Sequence, residues 1–532
     1  MSISKLLMPT NRGLIKSGVD RREMIFGMAA VGGAAAIFGG VNPAKVSAGT
    51  PRHGGTLRVG MASGQTSDSL DPATYNNEFT IMMAYTIHDQ ITQIDERGEL
   101  VPDLCEMWDS SDNATKWRFK VRSGVEFHNG KALTVADMIA SLNHHRGESN
   151  SAANPLLASI VDLRAEGDYM IAELSSPYAD FPFILSDFHL CILPSTDGAV
   201  DPSSGIGAGP FTIDSFEPGV EANYKRFGNY WQGDGPYFDG VKVLTIADGF
   251  ARQSALQSGA VDAIGGVSPK NASLLGRKED INIWEAVGTG HFTAPMRTDT
   301  APFDNLDIRK AIKHAVDRER ILSLVLNGRG NLGNDHPISV ANRYHASDLE
   351  QTTYDPDKSK WHLRQAGLEQ LDVQLSASDA AYSGAVDTAV LYSEFAKQAG
   401  INIEVIQEPS DGYWSSVWMK KPWCMCNWGG RPTEDWMFSS VYAEDAKWND
   451  TFWGHDRFNE LLLMARAETN DALRREMYTE MQSILNTDGG AVVFAFNSWL
   501  FATSSSLESG GKPSGQWDLD GLKIAERWWF KA

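Results

Sequence analysis

The chain has 532 residues, with 47 basic and 68 acidic side chains and a formal net charge of −21. A chain this acidic is not expected to bind nucleic acid or anionic lipid, because both are negatively charged themselves. Its length exceeds what one hydrophobic core usually organises, so we expect at least two domains.

The first 48 residues have the features of an export signal. Arg21 and Arg22 precede an apolar, glycine- and alanine-rich stretch over 24–41, and a small-residue cleavage site ends at Ala48. The pattern predicts a signal peptide over 1–48 of the twin-arginine type; an ordinary secretory signal or an uncleaved anchor is the alternative. We therefore expect a periplasmic protein whose mature chain does not insert into the membrane.

Strand patterns come first along the mature chain. Residues 56–61, TLRVGM, alternate apolar and polar side chains, and residues 116–122, KWRFKVR, do the same. This period of two predicts two β-strands. Asn129 and Gly130 follow the second strand and predict a tight turn.

Helix patterns follow. Thr134 and Asp137 form a capping pair that predicts a helix start. Apolar residues at helical spacing predict one helix over 306–327 and another over 470–490. Residues 491–496, AVVFAF, predict a buried strand after that last helix. Mixed elements of this kind predict an α/β protein.

Four cysteines occur in the chain. Cys105 and Cys191 lie in apolar surroundings, which predicts buried thiols. Cys424 and Cys426 form a single C-x-C, and no second pair or histidine follows at the spacing that a zinc site needs. The sequence therefore predicts neither a metal nor a cofactor.

Seven motifs occur in order between residues 69 and 367. They occupy residues 69–77, 100–138, 207–211, 229–243, 256–264, 302–321 and 354–367. Together they resemble the extracellular solute-binding proteins of family 5, the peptide-, opine- and nickel-binding components of ABC importers. The resemblance covers residues 55–530, and it is specific for the family but not for the ligand.

The resemblance implies a two-lobed periplasmic-binding-protein clamshell of the large class C type with an extra N-terminal subdomain. Lobe I is expected to hold 49–288 and 496–532, with the subdomain over 76–200, and lobe II to hold 289–495. A small-molecule or short-peptide ligand would bind in the cleft of a monomer and close the lobes. An ABC permease in the inner membrane would recognise the closed form.

The resemblance also points to residues of the cleft. Tyr75, Asn76 and Asn77 follow the family's Leu-Asp-Pro segment, which lines the site in relatives. His336 lies in a loop expected near the cleft mouth, where it is either a ligand contact or an ordinary loop histidine.

Seven of the 16 tryptophans lie between residues 411 and 453. Trp428 and Trp436 flank a glycine pair in this segment. Such density predicts either core packing or an apolar wall for a ligand.

Between those two tryptophans, a charged group follows Gly430. Dipeptide-binding relatives carry, at the position of Arg431, an aspartate that pairs with the ligand's amino group, so the charge here is reversed. Arg431 either makes a two-pronged contact to a ligand carboxylate, with Gly430 beside it, or pairs with Glu434 or Asp435. Either acid could instead reach a ligand amine.

Other functions have weaker support in the sequence. No H-E-x-x-H, G-x-S-x-G or Walker-type loop occurs, so we expect a binding protein and not an enzyme. Capture of a nickel chelate or haem by the same fold is the alternative ligand class. A secreted hydrolase is the weakest alternative.

Overall fold

The structure is a computed structural model that describes residues 51–531 apart from Asp112 and Asp234. The predicted signal peptide over 1–48 lies outside the described residues. Within the described part of the chain, every helix is too short or too polar to cross a membrane.

Residues 51–200 mix short strands with short helices. Their elements are β1 Thr56–Met61, α1 Glu78–Ile87, β2 Thr92–Ile94, β3 Leu100–Pro102, β4 Cys105–Ser111, β5 Lys116–Val121, α2 Val135–His144, β6 Ile160–Glu166, β7 Tyr169–Leu174, α3 Phe181–Ile184, β8 Ser195–Thr196 and β9 Ala199–Val200. The two strands predicted at 56–61 and 116–122 are confirmed as β1 and β5. The predicted start of α2 is also confirmed, because the N–H and hydroxyl of Thr134 both bond to Asp137.

The next segment completes one side of a large sheet. It contains β10 Phe211–Glu217, β11 Glu221–Arg226, β12 Gly240–Thr245, α4 Gly249–Gln257, β13 Ala263–Ile264, α5 Pro269–Leu275 and β14 Ile281–Pro295. β1 runs parallel to both β12 and β13, whereas β10, β11 and β12 pair in antiparallel fashion.

Residues 300–490 contain most of the α-helices of the described residues. They form α6 Leu306–His314, α7 Arg318–Leu324, β15 Asn331–Leu332, α8 Pro356–Gln365, β16 Leu371–Ala377, α9 Ala385–Gln398, β17 Ile401–Gln407, α10 Tyr413–Ser416, β18 Cys426–Trp428, α11 Glu434–Met437, α12 Asp456–Ala467 and α13 Asp471–Asp488. The prediction of one helix over 306–327 is wrong. Asp317 caps a second helix there, since its side chain accepts the N–H of Arg320 at 2.9 Å.

The C-terminal segment returns to the large sheet. It contains β19 Ala491–Ser504, β20 Leu507–Ser509, α14 Ile524–Arg527 and β21 Trp528–Phe530. The sheet order is β10-β11-β12-β1-β13-β19-β14-β18, and β15 also pairs with β19. β14 and β19 pair along most of their length, but their register breaks between Val287 and His291. The predicted strand over 491–496 is therefore confirmed as the start of a longer one.

The buried side chains separate into two groups on either side of that break. Residues from 57–281 and 500–528 supply three clusters, and residues from 294–496 supply two more. The molecule therefore has two lobes, joined by β14 and β19. Cys105 and Cys191 are buried free thiols, as predicted.

Candidate functional site

A cavity of about 560 Å³ lies between the two lobes. One wall comes from residues 85–94, 155–188 and 499–527, and the other from 289–290 and 429–448. Its volume lies within the range of small-molecule sites. A larger cavity of about 690 Å³ is lined by residues of the first lobe only, so it is not the one between the lobes.

Arg431 reaches the cavity from the loop between β18 and α11. Its Nη1 donates to the carbonyl oxygens of Gly429 at 3.1 Å and Gly430 at 3.0 Å. Among the described residues, no side chain or carbonyl accepts from Nε or Nη2, and no acid pairs with the guanidinium. Burial lowers the pKa of Arg431 from its usual value. Arg431 therefore lines the cavity with two donors, Nε and Nη2, that have no protein acceptor in the described part of the chain.

Gly430 holds this loop against β14. A Cβ atom added to Gly430 would lie 1.9 Å from Oγ1 of Thr289 and 3.0 Å from the backbone nitrogen of Gly290. At Gly429, by contrast, the nearest atom would be Nη1 of Arg431 at 3.7 Å. Gly430 is therefore required, because the loop approaches β14 too closely for a side chain. Gly429 is not required for this reason.

The two predicted tryptophans differ in environment. Trp436 lines the cavity, and the guanidinium carbon of Arg431 lies 6.0 Å from its ring centroid. Trp428 is buried outside the cavity lining, and its indole N–H donates to Asp450 at 3.2 Å. Trp418 donates to the same carboxylate oxygen at 3.1 Å. Trp428 therefore belongs to the packing that supports the loop.

Glu434 and Asp435 are buried below the cavity wall and do not line it. An oxygen of Glu434 accepts the backbone N–H of Tyr344 at 2.7 Å, and Asp435 accepts from Nε of Arg466 at 3.1 Å. Burial raises the pKa of Glu434 to about 7 and that of Asp435 to about 6. Neither acid pairs with Arg431.

A buried ion pair joins the two lobes next to these acids. Nη2 of Arg474 on α13 lies 2.7 Å from the Asp180 carboxylate, and the side chains are 5% and 3% exposed. The backbone N–H of Ala179 also donates to the carbonyl of Arg466 at 2.8 Å. Charged groups from both lobes therefore meet beside the cavity in satisfied pairs.

The N-terminal candidates lie outside the cavity lining. Tyr75 is buried, and its hydroxyl donates to the carbonyl of Leu70 at 3.1 Å. Asn77 caps α1 and donates to Asp68 at 2.8 Å. Asn76 is exposed and accepts from Asn77 at 3.1 Å. These contacts shape the chain around α1, and a ligand role for the three residues stays a prediction.

His336 is also buried and outside the cavity lining. Burial, with His345 and His291 nearby, lowers its pKa to about 3. Within the described residues, Nε2 has no hydrogen-bond partner. A neutral imidazole at this place contributes packing volume, and its ligand role likewise stays a prediction.

The sequence reasoning missed the first-lobe wall of the cavity. Trp499, Trp517 and Lys523 line it, although no motif marks the C-terminal segment. Residues 519–522 have φ between 49° and 69°, a left-handed turn that is costly for non-glycine residues. Asp518 holds this turn, since it accepts the N–H of Gly266 at 2.5 Å. The turn sets the position of Lys523 on the wall.

The described part of the chain, residues 51–531 without Asp112 and Asp234, contains no group of three His, Cys, Asp or Glu side chains that could share a metal ion.

Comparison with known proteins gives matches over most of the chain. Residues 99–450 match the family described as "Bacterial extracellular solute-binding proteins, family 5 Middle". The dipeptide-binding protein of Escherichia coli K12 is 23% identical over 480 residues, which cover 82% of this chain and 86% of that protein.

Solved structures are similar in fold. AgaA from A. tumefaciens R10, in complex with agropinic acid, aligns with a TM-score of 0.69 at 23% identity, over 90% of this chain and 99% of that one. HbpA2 from Haemophilus parasuis aligns with a TM-score of 0.77 at 18% identity, over 87% and 97%. These likenesses confirm the predicted two-lobed α/β binding-protein fold.

Proposed function

Because the chain belongs to the bacterial extracellular solute-binding proteins of family 5, we propose that it captures a carboxylate-bearing solute in the cavity between its lobes. The solute is peptide-like or opine-like, and an ABC permease in the inner membrane receives it. The observation that carries this proposal is Arg431, which lines the cavity and whose Nε and Nη2 donors have no acceptor among the described residues.

A guanidinium with two free donors matches the two oxygens of a carboxylate. Closure of the lobes removes water from the cavity, and an anion held there needs a charged partner. Arg431 supplies that partner, Gly430 lets its loop approach β14, and Trp436 covers the apolar part of the solute. The protein binds the solute and releases it chemically unchanged.

The relatives support this class of solute. The Escherichia coli relative is named a dipeptide-binding protein, and the A. tumefaciens structure holds agropinic acid. A dipeptide ends in a carboxylate, and agropinic acid is an acid by name. An arginine in the cleft suits both.

We place lobe I at residues 49–288 and 496–532, with a subdomain over 76–200, and lobe II at 289–495. The register break between β14 and β19 at Val287 to His291 supports this division. The separation of the buried clusters into two groups supports it further. The two strands then act as the hinge about which a monomer closes.

The protein is exported to the periplasm through the twin-arginine route. The guanidinium pair of Arg21 and Arg22 before an apolar stretch supports this route. Replacing both residues by lysine should leave the precursor in the cytoplasm, as measured by cell fractionation. Normal export of the double-lysine form would assign the protein to the general secretory route.

Calorimetric titration of the mature chain with agropinic acid and with L-alanyl-L-phenylalanine tests the binding role of Arg431. Arg431→Ala should weaken binding by roughly 2–5 kcal/mol, the range for breaking a desolvated charge pair. Arg431→Lys should recover only part of the loss, because lysine keeps the charge but not the fork.

Arg364→Ala is the matched control, since Arg364 is exposed near the end of α8. It should bind like the wild type. An affinity of Arg431→Ala within about threefold of wild type, which is less than about 1 kcal/mol, would contradict the proposal.

A further inference from the structure

Aromatic side chains line both walls of the cavity. Trp436 and Trp448 belong to the second-lobe wall, and Trp499 and Trp517 to the first-lobe wall. Phe188, also on the lining, packs edge-on against Trp517 with ring centroids 6.1 Å apart. Flat faces on two sides of a cleft suit a ring better than they suit a flexible aliphatic chain.

Part of this aromatic surface is left uncovered. Trp448 is 44% exposed, and its ring centroid lies 6.3 Å from that of Trp428. Among the described residues, the indole N–H groups of Trp436, Trp448 and Trp517 have no protein acceptor. A tryptophan that is exposed on a cavity wall and retains a free donor can pack on a ring and bond to an amide carbonyl.

The charge of the lining favours an anion without a compensating ammonium group. Arg431, Lys523 and Arg527 line the cavity, whereas Asp187 is the acid on the described lining. One oxygen of Asp187 already accepts the backbone N–H of His189 at 3.0 Å and lies 2.6 Å from Nδ1 of the same residue. The acids of α11 are paired outside the cavity. An ammonium group would therefore meet three cations, of which Lys523 and Arg527 already pair with acids outside the lining, and one acid with a single oxygen left unbonded.

From these observations we infer that the solute is an organic anion with an aromatic ring and no free ammonium group, of the N-acylated aromatic amino acid class. This inference rests on the proposed function, because it specifies the solute whose carboxylate Arg431 holds. The ring packs against the tryptophans, and the acyl amide meets their free donors. The ammonium group of a dipeptide would have to be desolvated with only the second oxygen of Asp187 to receive it on the described lining.

Four related compounds test separately the need for an aromatic ring and the need for the absence of an ammonium group. L-phenylalanyl-L-phenylalanine and N-hydrocinnamoyl-L-phenylalanine differ only by the ammonium group. L-leucyl-L-leucine and N-isocaproyl-L-leucine are the corresponding aliphatic pair. Calorimetric titration of the mature chain should show the tightest binding for N-hydrocinnamoyl-L-phenylalanine. Addition of the ammonium group, or loss of the rings, should weaken binding by about tenfold each.

A tryptophan pair provides matched variants. Trp448 and Trp414 are both 44% exposed, but only Trp448 lies on the described lining of the cavity. Trp448→Ala should reduce the ratio of aromatic to aliphatic affinity by about tenfold, and Trp448→Phe should retain most of that ratio. Trp414→Ala should leave all four affinities unchanged.

The outcomes distinguish this inference from the proposed function. Tighter binding of L-phenylalanyl-L-phenylalanine than of its N-acyl partner, or equal binding of leucine and phenylalanine compounds, would overturn the inference. The proposed function would still stand if Arg431→Ala weakened the compound that bound best. Failure of all four compounds to bind would overturn the inference, and titration with agropinic acid would then decide the proposed function alone. Binding that is insensitive to Arg431→Ala would overturn both.

Discussion

The segment over 429–436 carries two kinds of charge that the structure treats differently. Arg431 lines the cavity, and its Nε and Nη2 have no acceptor among the described residues. Glu434 and Asp435 are buried a few residues later, where Tyr344 and Arg466 occupy their oxygens. The charge of Arg431 is available to a solute, whereas the carboxyl groups of Glu434 and Asp435 are bonded within the protein.

The comparison separates, within one short segment, a charge on the cavity wall from charges that belong to the packing of the second lobe. A buried acid without a partner is costly, so the acids below the wall must be paired in every state in which they stay buried. Arg431 lines a cavity that water can fill. Water can therefore accept from its donors until a carboxylate binds. Variants that alter each kind of charge should therefore separate stability from affinity.

The largest effect is expected where the lobes meet. Arg474→Met should lower the free energy of unfolding by about 3–5 kcal/mol, because it leaves Asp180 buried without its partner. Urea denaturation of the mature chain measures this change.

Lys397→Ala is the control for that variant, because Lys397 and its partner Glu394 are both exposed. It should change stability little. Equal stability of Arg474→Met and wild type would show that the lobes do not depend on this pair.

A pH effect is expected from Glu434. Burial raises its pKa from 4.5 to about 7, so the folded state holds the proton more tightly than the unfolded state. The resulting stabilisation is fully present below pH 4.5 and is lost as the pH rises to about 7, by up to roughly 3 kcal/mol. Glu434→Gln should reduce this slope in urea-denaturation curves recorded across that range, and the part that remains should include the contribution of Asp435.

The exposed Glu369→Gln change should leave the slope as in the wild type. A slope that is unchanged in Glu434→Gln would assign the pH dependence to other groups. Asp435, whose pKa burial raises to about 6, would then be the next to change.

A smaller effect is expected at the glycine pair. Gly430→Ala should lower stability by about 1–3 kcal/mol, since its Cβ would overlap Thr289 and force the loop away from β14. Affinity should fall with it, because Arg431 moves with the loop. An added Cβ at Gly429 would make only an ordinary van der Waals contact, with Nη1 of Arg431 at 3.7 Å, so Gly429→Ala should do neither. Thermal unfolding and titration of both variants test this, and equal behaviour of the two would contradict the close approach.

Local patterns predicted much of the fold, and distant contacts explain the rest. The alternation over 56–61 and the Thr134–Asp137 cap are properties of neighbouring residues, so both predictions are confirmed. The predicted single helix over 306–327 is interrupted, because the Asp317 cap competes with continuous helical spacing.

The candidate site was only partly predictable for the same reason. Gly430, Arg431 and Trp436 lie close together in sequence and line the cavity together, and their role as ligand contacts stays a prediction. Trp499 and Trp517 reach the opposite wall from the far end of the chain. The pairing of Arg474 with Asp180 depends on how the two lobes meet. A pattern of neighbouring residues cannot predict such a contact.

The central claim is that Arg431 holds a carboxylate of the solute, and a double-mutant cycle tests it most directly. N-hydrocinnamoyl-L-phenylalanine and its C-terminal amide are titrated calorimetrically into the wild type and into Arg431→Ala. If the guanidinium contacts the carboxylate, removal of either group should weaken binding, and removal of both should cost little more than removal of one. The coupling energy should be about 1.5 kcal/mol or more. Additive losses, with a coupling energy near zero, would show that Arg431 and the carboxylate do not meet.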